Sequence, residues 1–177
     1  DYKILFMVVL LTSIASTTLS QTYSYYLVDV LNMTSLANGV TKGLVGVGSM
    51  ILNFTLTLWI VRSNQMSRKI SYVHLSIAMV GVPLIIFGKH ALIFSGMGII
   101  MMIIDSVSTS LLQSKNTQIA THDIQGEMLG LHNAFKSLGG IVGSLVAGVV
   151  YEWYVLLPFM GLIVLYGVAS QFVKRVT

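Results

Sequence analysis

Long apolar stretches alternate with short charged segments along the whole sequence. The uncharged stretch that ends at Asp29 is 25 residues long, and those that end at Arg62 and Lys89 are each 19 residues long. A helix needs about 20 mostly apolar residues to cross the hydrocarbon core of a bilayer. The charge spacing therefore predicts six transmembrane helices, over approximately residues 4–28, 43–61, 70–88, 90–114, 128–151 and 153–173.

The composition excludes a soluble domain. Only 9% of the 177 residues are charged and 55% are hydrophobic, and the mean hydropathy is +0.83, whereas soluble chains average roughly 25% charged residues. The absence of cysteine excludes disulfides and thiolate metal sites. We therefore expect an all-α, polytopic protein whose 177 residues form a single six-helix domain in the lipid bilayer, without cofactor or metal.

The basic residues are divided unequally between the two sides of the predicted bundle. Two lie on one side, Lys42 and Lys89, and seven on the other: Lys3, Arg62, Arg68, Lys69, Lys115, Lys174 and Arg175. Because an excess of Lys and Arg in short loops marks the cytoplasmic side, we expect both termini in the cytoplasm of a cell-membrane protein. The excess is the ordinary topology signal and indicates no nucleic-acid partner.

Polar residues recur at helical spacing in the first predicted span. They lie at i, i+3, i+4, i+7, i+8 and i+11 and comprise Ser13, Ser16, Thr17, Ser20, Gln21 and Ser24. Polar side chains in a span face protein or water, so this stripe predicts a cavity wall or a helix contact. The alternative is that the hydroxyls bond to their own helix. The neighbouring Tyr23, Tyr25 and Tyr26 are interpreted as an interfacial aromatic belt.

The fourth and fifth spans carry similar polar faces. One comprises Asp105, Ser108, Thr109, Gln113 and Asn116, and the other His132, Asn133, Lys136 and Ser137. Within these sets Thr109, Gln113 and Asn133 are predicted to line the cavity. Asn53 in the second span is a further cavity candidate, although a satisfied core group is the simpler interpretation for it, as for His74 in the third.

Two charges lie inside the predicted spans and are candidates for proton coupling, together with His132. Asp105 and Lys136 each lie eight residues from the expected cytoplasmic helix end, or about 12 Å at 1.5 Å per residue. Equal depth on consecutive helices predicts an Asp105–Lys136 ion pair, with Asp105 as the proton carrier. The alternative is a permanent salt bridge that only fixes helix packing.

Small residues favour close helix contact in the fifth span, at Gly139, Gly140, Gly143, Ser144 and Gly148. The spacing of Gly140, Ser144 and Gly148 predicts a groove that receives a neighbouring helix. The second span is also rich in glycine, and the matching positions in each set of three are those expected of a three-plus-three inverted repeat.

No enzymatic motif is present. The sequence has no nucleotide-binding G-x-x-x-x-G-K-[ST], no zinc-binding H-E-x-x-H and no G-x-S-x-G of serine hydrolases. We therefore expect a protein that is not an enzyme.

The order of these features resembles the C-terminal half of a major facilitator superfamily transporter, in particular the bacterial drug:proton antiporters. The run from Gly130 to Tyr151, GLHNAFKSLGGIVGSLVAGVVY, is similar to their eleventh helix, with Ser144 where proline is usual. Arg68 and Lys69 match only the end of the family's gating signature, so its charge-relay role is not carried over.

This resemblance implies half of a twelve-helix secondary transporter that exports amphipathic small molecules against proton entry. The first, second, fourth and fifth spans would then line the cavity, and an N-terminal six-helix half or a second copy would complete it. The alternatives are a non-transporting membrane scaffold or regulatory subunit, or a truncated product that self-associates.

Overall fold

The structure, a computed structural model, describes residues 2–63, 65–120 and 122–175 and is all-helical over these ranges. Its six long helices are α1 Tyr2–Asp29, α2 Ser35–Val61, α3 Met66–Ile86, α4 Ala91–Ile119, α5 Gln125–Trp153 and α6 Leu157–Lys174. Each is long and apolar enough to cross a membrane. The prediction of an all-α protein with six transmembrane helices is therefore confirmed.

The helices extend beyond the apolar stretches that predicted them. α2 begins at Ser35 rather than residue 43, after Thr34, whose hydroxyl accepts a 3.2 Å hydrogen bond from the Ala37 amide as an N-cap. α4 continues to Ile119 and so contains Lys115. A charged residue ends the apolar run but not the helix, because the helix can continue into the polar headgroup layer.

α2 contains a π-helical stretch at Asn53–Thr57. There the Asn53 side-chain amide donates to the Ser49 carbonyl at 2.8 Å and to the Ser106 hydroxyl of α4 at 2.9 Å. A π-turn adds one residue to the turn and locally interrupts the regular helix. Asn53 therefore links α2 to α4.

α1 lies at the centre of the bundle and packs against α4, α5 and α6. α3 packs against α4 and α6, whereas α2 contacts mainly α4 and is the most exposed of the six helices. The buried core joins these helices through large side chains such as Phe94 and Phe159. The three-plus-three inverted repeat stays a prediction.

The tyrosines of α1 form no aromatic belt, except for the exposed Tyr25. Tyr23 and Tyr26 are buried, and the Tyr26 ring stacks on Phe94 with ring centroids 4.2 Å apart. The Tyr23 ring lies directly over Gly98, where the missing side chain leaves room for it. That interpretation was wrong for these two residues because packing against α4, not the bilayer interface, determines their surroundings.

The glycine face that packs against α1 is displaced by one residue from the predicted groove. A Cβ atom added at Gly139 would lie 2.6 Å from the Ser13 Cβ, and one at Gly143 would lie 2.6 Å from the Ile14 carbonyl oxygen. The Thr18 hydroxyl also donates to the Gly143 carbonyl at 3.1 Å. Gly139 and Gly143 therefore provide the close approach of α5 to α1.

The groove predicted at Gly140, Ser144 and Gly148 is wrong. Gly140 faces only the Thr17 hydroxyl at 3.7 Å, and a Cβ atom at Gly148 would meet nothing within 4 Å. Ser144 instead accepts a 2.8 Å hydrogen bond from the Gln21 side chain. One residue is about 100° of rotation on an α-helix, so the adjacent face was the one that packed.

Candidate functional site

A cavity of about 370 Å³ lies where α1, α4 and α5 meet. It is lined by polar side chains and one glycine: Ser13, Ser16, Thr17, Thr109, Asn133, Lys136, Ser137 and Gly140. The polar stripes of three helices thus converge on one space. Asn133, Lys136 and Ser137 are exposed, so the cavity opens on the outer face of α5.

A buried carboxyl group lies behind the cavity wall. Asp105 is only 7% exposed and occupies the middle of α4, 14 residues from each end. Its Oδ2 accepts a 2.5 Å hydrogen bond from the Ser16 hydroxyl, and its Oδ1 accepts a 2.6 Å bond from the Tyr166 hydroxyl. Ser16 also lines the cavity, so a single hydroxyl connects the cavity to the carboxyl group.

The predicted Asp105–Lys136 ion pair is wrong for this arrangement of the helices. In the described part of the chain, both Asp105 oxygens bond to hydroxyl groups and neither bonds to Lys136. The Lys136 ammonium stays in the cavity, close enough to interact electrostatically with the carboxylate. The depth argument failed because α4 extends to Ile119, which moves Asp105 from eight residues inside the helix to its midpoint.

His132, the third candidate for proton coupling, lies outside the cavity. Its side chain is 3% exposed and its Nδ1 is hydrogen-bonded to the side-chain amide of Asn116 on α4. That bond holds α4 and α5 together, and these two helices otherwise contact each other little. His132 is one turn from Lys136 on α5, whose charge lies near its ring.

The remaining predicted cavity residues do not line this cavity. Ser24 bonds to the Ser20 carbonyl of its own helix at 2.9 Å, and Gln21 reaches α5 through Ser144. Ser20 is half-buried, and Gln113 is exposed near the end of α4. Asn53 is held by Ser106 of α4. The stripe of α1 is therefore divided between a cavity wall at its centre and helix contacts nearer Asp29.

Sequence reasoning missed the second partner of Asp105. Tyr166 is fully buried on α6, a span that the polar pattern did not single out. Behind it, the His74 Nε2 of α3 lies 2.6 Å from the Ser108 hydroxyl, and the His74 and Tyr166 ring centroids are 5.9 Å apart. A lone polar residue amid an apolar helix was the one available signal, since such groups need a partner in hydrocarbon.

Over residues 2–63, 65–120 and 122–175, no group of three metal-ligating side chains is placed to hold a metal ion. Neither models of known protein families nor the sequences of curated proteins match this chain.

Proposed function

We propose that this chain is one half of a secondary active transporter of the major facilitator type, which exports amphipathic small molecules against proton entry by alternating access. The observation that carries the proposal is the position of Ser16. Its hydroxyl lines a polar cavity and donates to the buried Asp105, so a proton-binding group lies one side chain away from a space of ligand size. In this proposal the protein has no enzymatic activity.

The polarity of the cavity mouth supports a missing partner. Asn133, Lys136 and Ser137 are exposed on α5, and charged or amide side chains are costly where they face hydrocarbon. A second six-helix unit placed over this face would remove these groups from lipid and close the cavity. That unit is an N-terminal half or a second copy of the chain.

The arrangement of the helices gives further support, with one departure. α1, α4 and α5 line the cavity, while α3 and α6 lie behind α4 and α1 and supply His74 and Tyr166. This is the division that the resemblance implies for those five helices. α2 departs from it, because none of its residues lines this cavity and it packs on the outside of α4.

The proposal predicts that transport requires two six-helix units. Purified protein would be sorted by mass, reconstituted in liposomes and supplied with an inward proton gradient, and the efflux of cationic, neutral and anionic amphipathic dyes would be measured. We expect gradient-driven efflux only from the fraction with two units, since one unit leaves the cavity open on one side. Flux from demonstrably monomeric protein would overturn this.

A threonine pair provides the matched control. Thr109 and Thr55 both bond to carbonyls of their own helices, but Thr109 lines the cavity and Thr55 lies exposed on α2. We expect Thr109→Ile, which adds bulk to the cavity, to impair efflux and Thr55→Ile to leave it unchanged. Absence of flux from assembled, folded protein with every dye would favour the non-transporting scaffold instead.

The proposed orientation places both termini and the segment between α2 and α3 in the cytoplasm. Single-cysteine variants test it, because Gln65 and Leu36 are both exposed and lie near opposite ends of α2. In intact cells, a thiol reagent that cannot cross the membrane should modify Leu36→Cys and spare Gln65→Cys until the cells are permeabilised. The reverse pattern would show that the orientation is inverted.

A further inference from the structure

A second cavity, of about 540 Å³, lies at one end of the bundle, where α2 ends, α3 begins and α4 makes its last turns. Three cationic side chains line it: Arg62, Arg68 and Lys115. Among the described residues, its lining contains no carboxylate; the rest is Val61, Ser63, Gln65, Met66, Ser67 and Gln118. Three cations from three parts of the chain therefore share one concave space without a carboxylate in its lining.

An apolar groove of about 370 Å³ begins beside this basic cavity and runs along α2 and α3. Gln65 lines both spaces, so they are continuous at that residue. Trp59 and Tyr72, which are 63% and 58% exposed, form its walls with Leu56, Ile60 and Val73. The Lys69 ammonium lies 3.5 Å from the centre of the Trp59 ring, at the end of the groove nearest the cations.

We propose that the basic cavity and the apolar groove together form a binding site for one anionic phospholipid. The phosphate and the rest of the anionic headgroup would lie among Arg62, Arg68 and Lys115, and an acyl chain would follow the groove past Trp59. Charge complementarity selects the headgroup, since arginine and lysine are the usual phosphate partners. The groove selects a lipid over free phosphate, because a free ion would leave these exposed aromatic rings without a role.

The site lies where a lipid of one leaflet would meet the protein. The cations are at the helix ends, at the level of headgroups, and the groove extends from them toward the centre of the bilayer along the outer face of α2 and α3. Tryptophan and tyrosine are enriched at this depth in membrane proteins. The inference does not depend on transport and would hold for a scaffold protein with the same six helices.

Native mass spectrometry of the full chain in detergent tests the headgroup site. Phosphatidylglycerol and phosphatidylcholine with identical acyl chains would compete for the protein, and we expect the anionic lipid to be retained preferentially. Removing two cations with Arg62→Gln and Lys115→Gln should weaken phosphatidylglycerol binding by about 25-fold, at about fivefold per cation. The matched control, Lys174→Gln with Arg175→Gln, removes two cations outside the cavity and should leave binding unchanged.

The apolar groove is tested separately. Trp59→Ala should weaken phosphatidylglycerol binding, whereas Trp153→Ala, an equally exposed tryptophan at the end of α5, should not. Glycerol 3-phosphate, which has the headgroup charge but no acyl chain, should fail to displace the lipid. Displacement by glycerol 3-phosphate at similar concentrations would overturn the lipid assignment in favour of a free phosphate ester. Equal losses in the two cation double variants would overturn the site itself.

Discussion

Replacing Asp105 with asparagine is expected to abolish proton-driven efflux by the assembled transporter while leaving the fold intact. Asparagine keeps the shape of aspartate but cannot carry a proton. Ser16 and Tyr166 both donate to the carboxylate, and an amide offers only one oxygen, so one hydroxyl must turn away or lose its acceptor. Gradient-driven efflux in liposomes measures the effect, with dye binding and circular dichroism to show that the protein is folded.

Two further variants separate proton transfer from a structural role of Asp105. Asp29→Asn makes the same chemical change at an exposed position and should leave efflux unchanged. The double variant Asp105→Asn with Lys136→Gln should remain inactive, because Lys136 does not bond directly to the carboxylate. Recovery of efflux in the double variant would instead identify the two charges as a purely structural pair.

Gly143→Ala should destabilise the bundle more than an exposed substitution of the same kind. The new Cβ atom would lie 2.6 Å from the Ile14 carbonyl oxygen and 3.0 Å from the Thr17 Cβ. Backbone atoms cannot move aside as a flexible side chain can, so α1 and α5 must separate. Overpacking of this kind costs about 1–3 kcal/mol, and the loss would appear as a lower Tm in detergent.

Gly148→Ala is the matched control on the same helix. A Cβ atom there meets nothing within 4 Å, and alanine is a better helix former than glycine by about 1 kcal/mol. The two variants should therefore change the Tm in opposite directions. A Tm for Gly143→Ala equal to or above that of the unmodified chain would contradict the close contact between α1 and α5.

The sequence predicted the spans well because charge is so costly in hydrocarbon that its spacing marks where helices lie. The polar stripes of α1, α4 and α5 were also visible in the sequence, and Ser13, Ser16, Thr17, Thr109 and Asn133 lie together at the cavity. Helical periodicity identifies a face, and three polar faces in one bundle meet where lipid is excluded.

The contacts of those faces could not be read from the sequence. α5 has small residues on two adjacent faces, through Gly139 and Gly143 and through Gly140 and Ser144. Both have the i, i+4 spacing, and only the position of α1 decides between them. Tyr166 illustrates the same limit, because its place beside Asp105 depends on how α6 packs, which no local pattern encodes.

The two hydroxyl partners of Asp105 also bear on how the protein is made. Ser16 precedes Asp105 in the chain, whereas Tyr166 follows it by 61 residues. At about 5–20 residues per second, roughly 3 to 12 s pass between the synthesis of the carboxyl group and that of its last partner. During this interval α4 enters the membrane with its central charge incompletely satisfied. A chaperone or the insertion machinery that shelters a polar helix during biogenesis would act in this window.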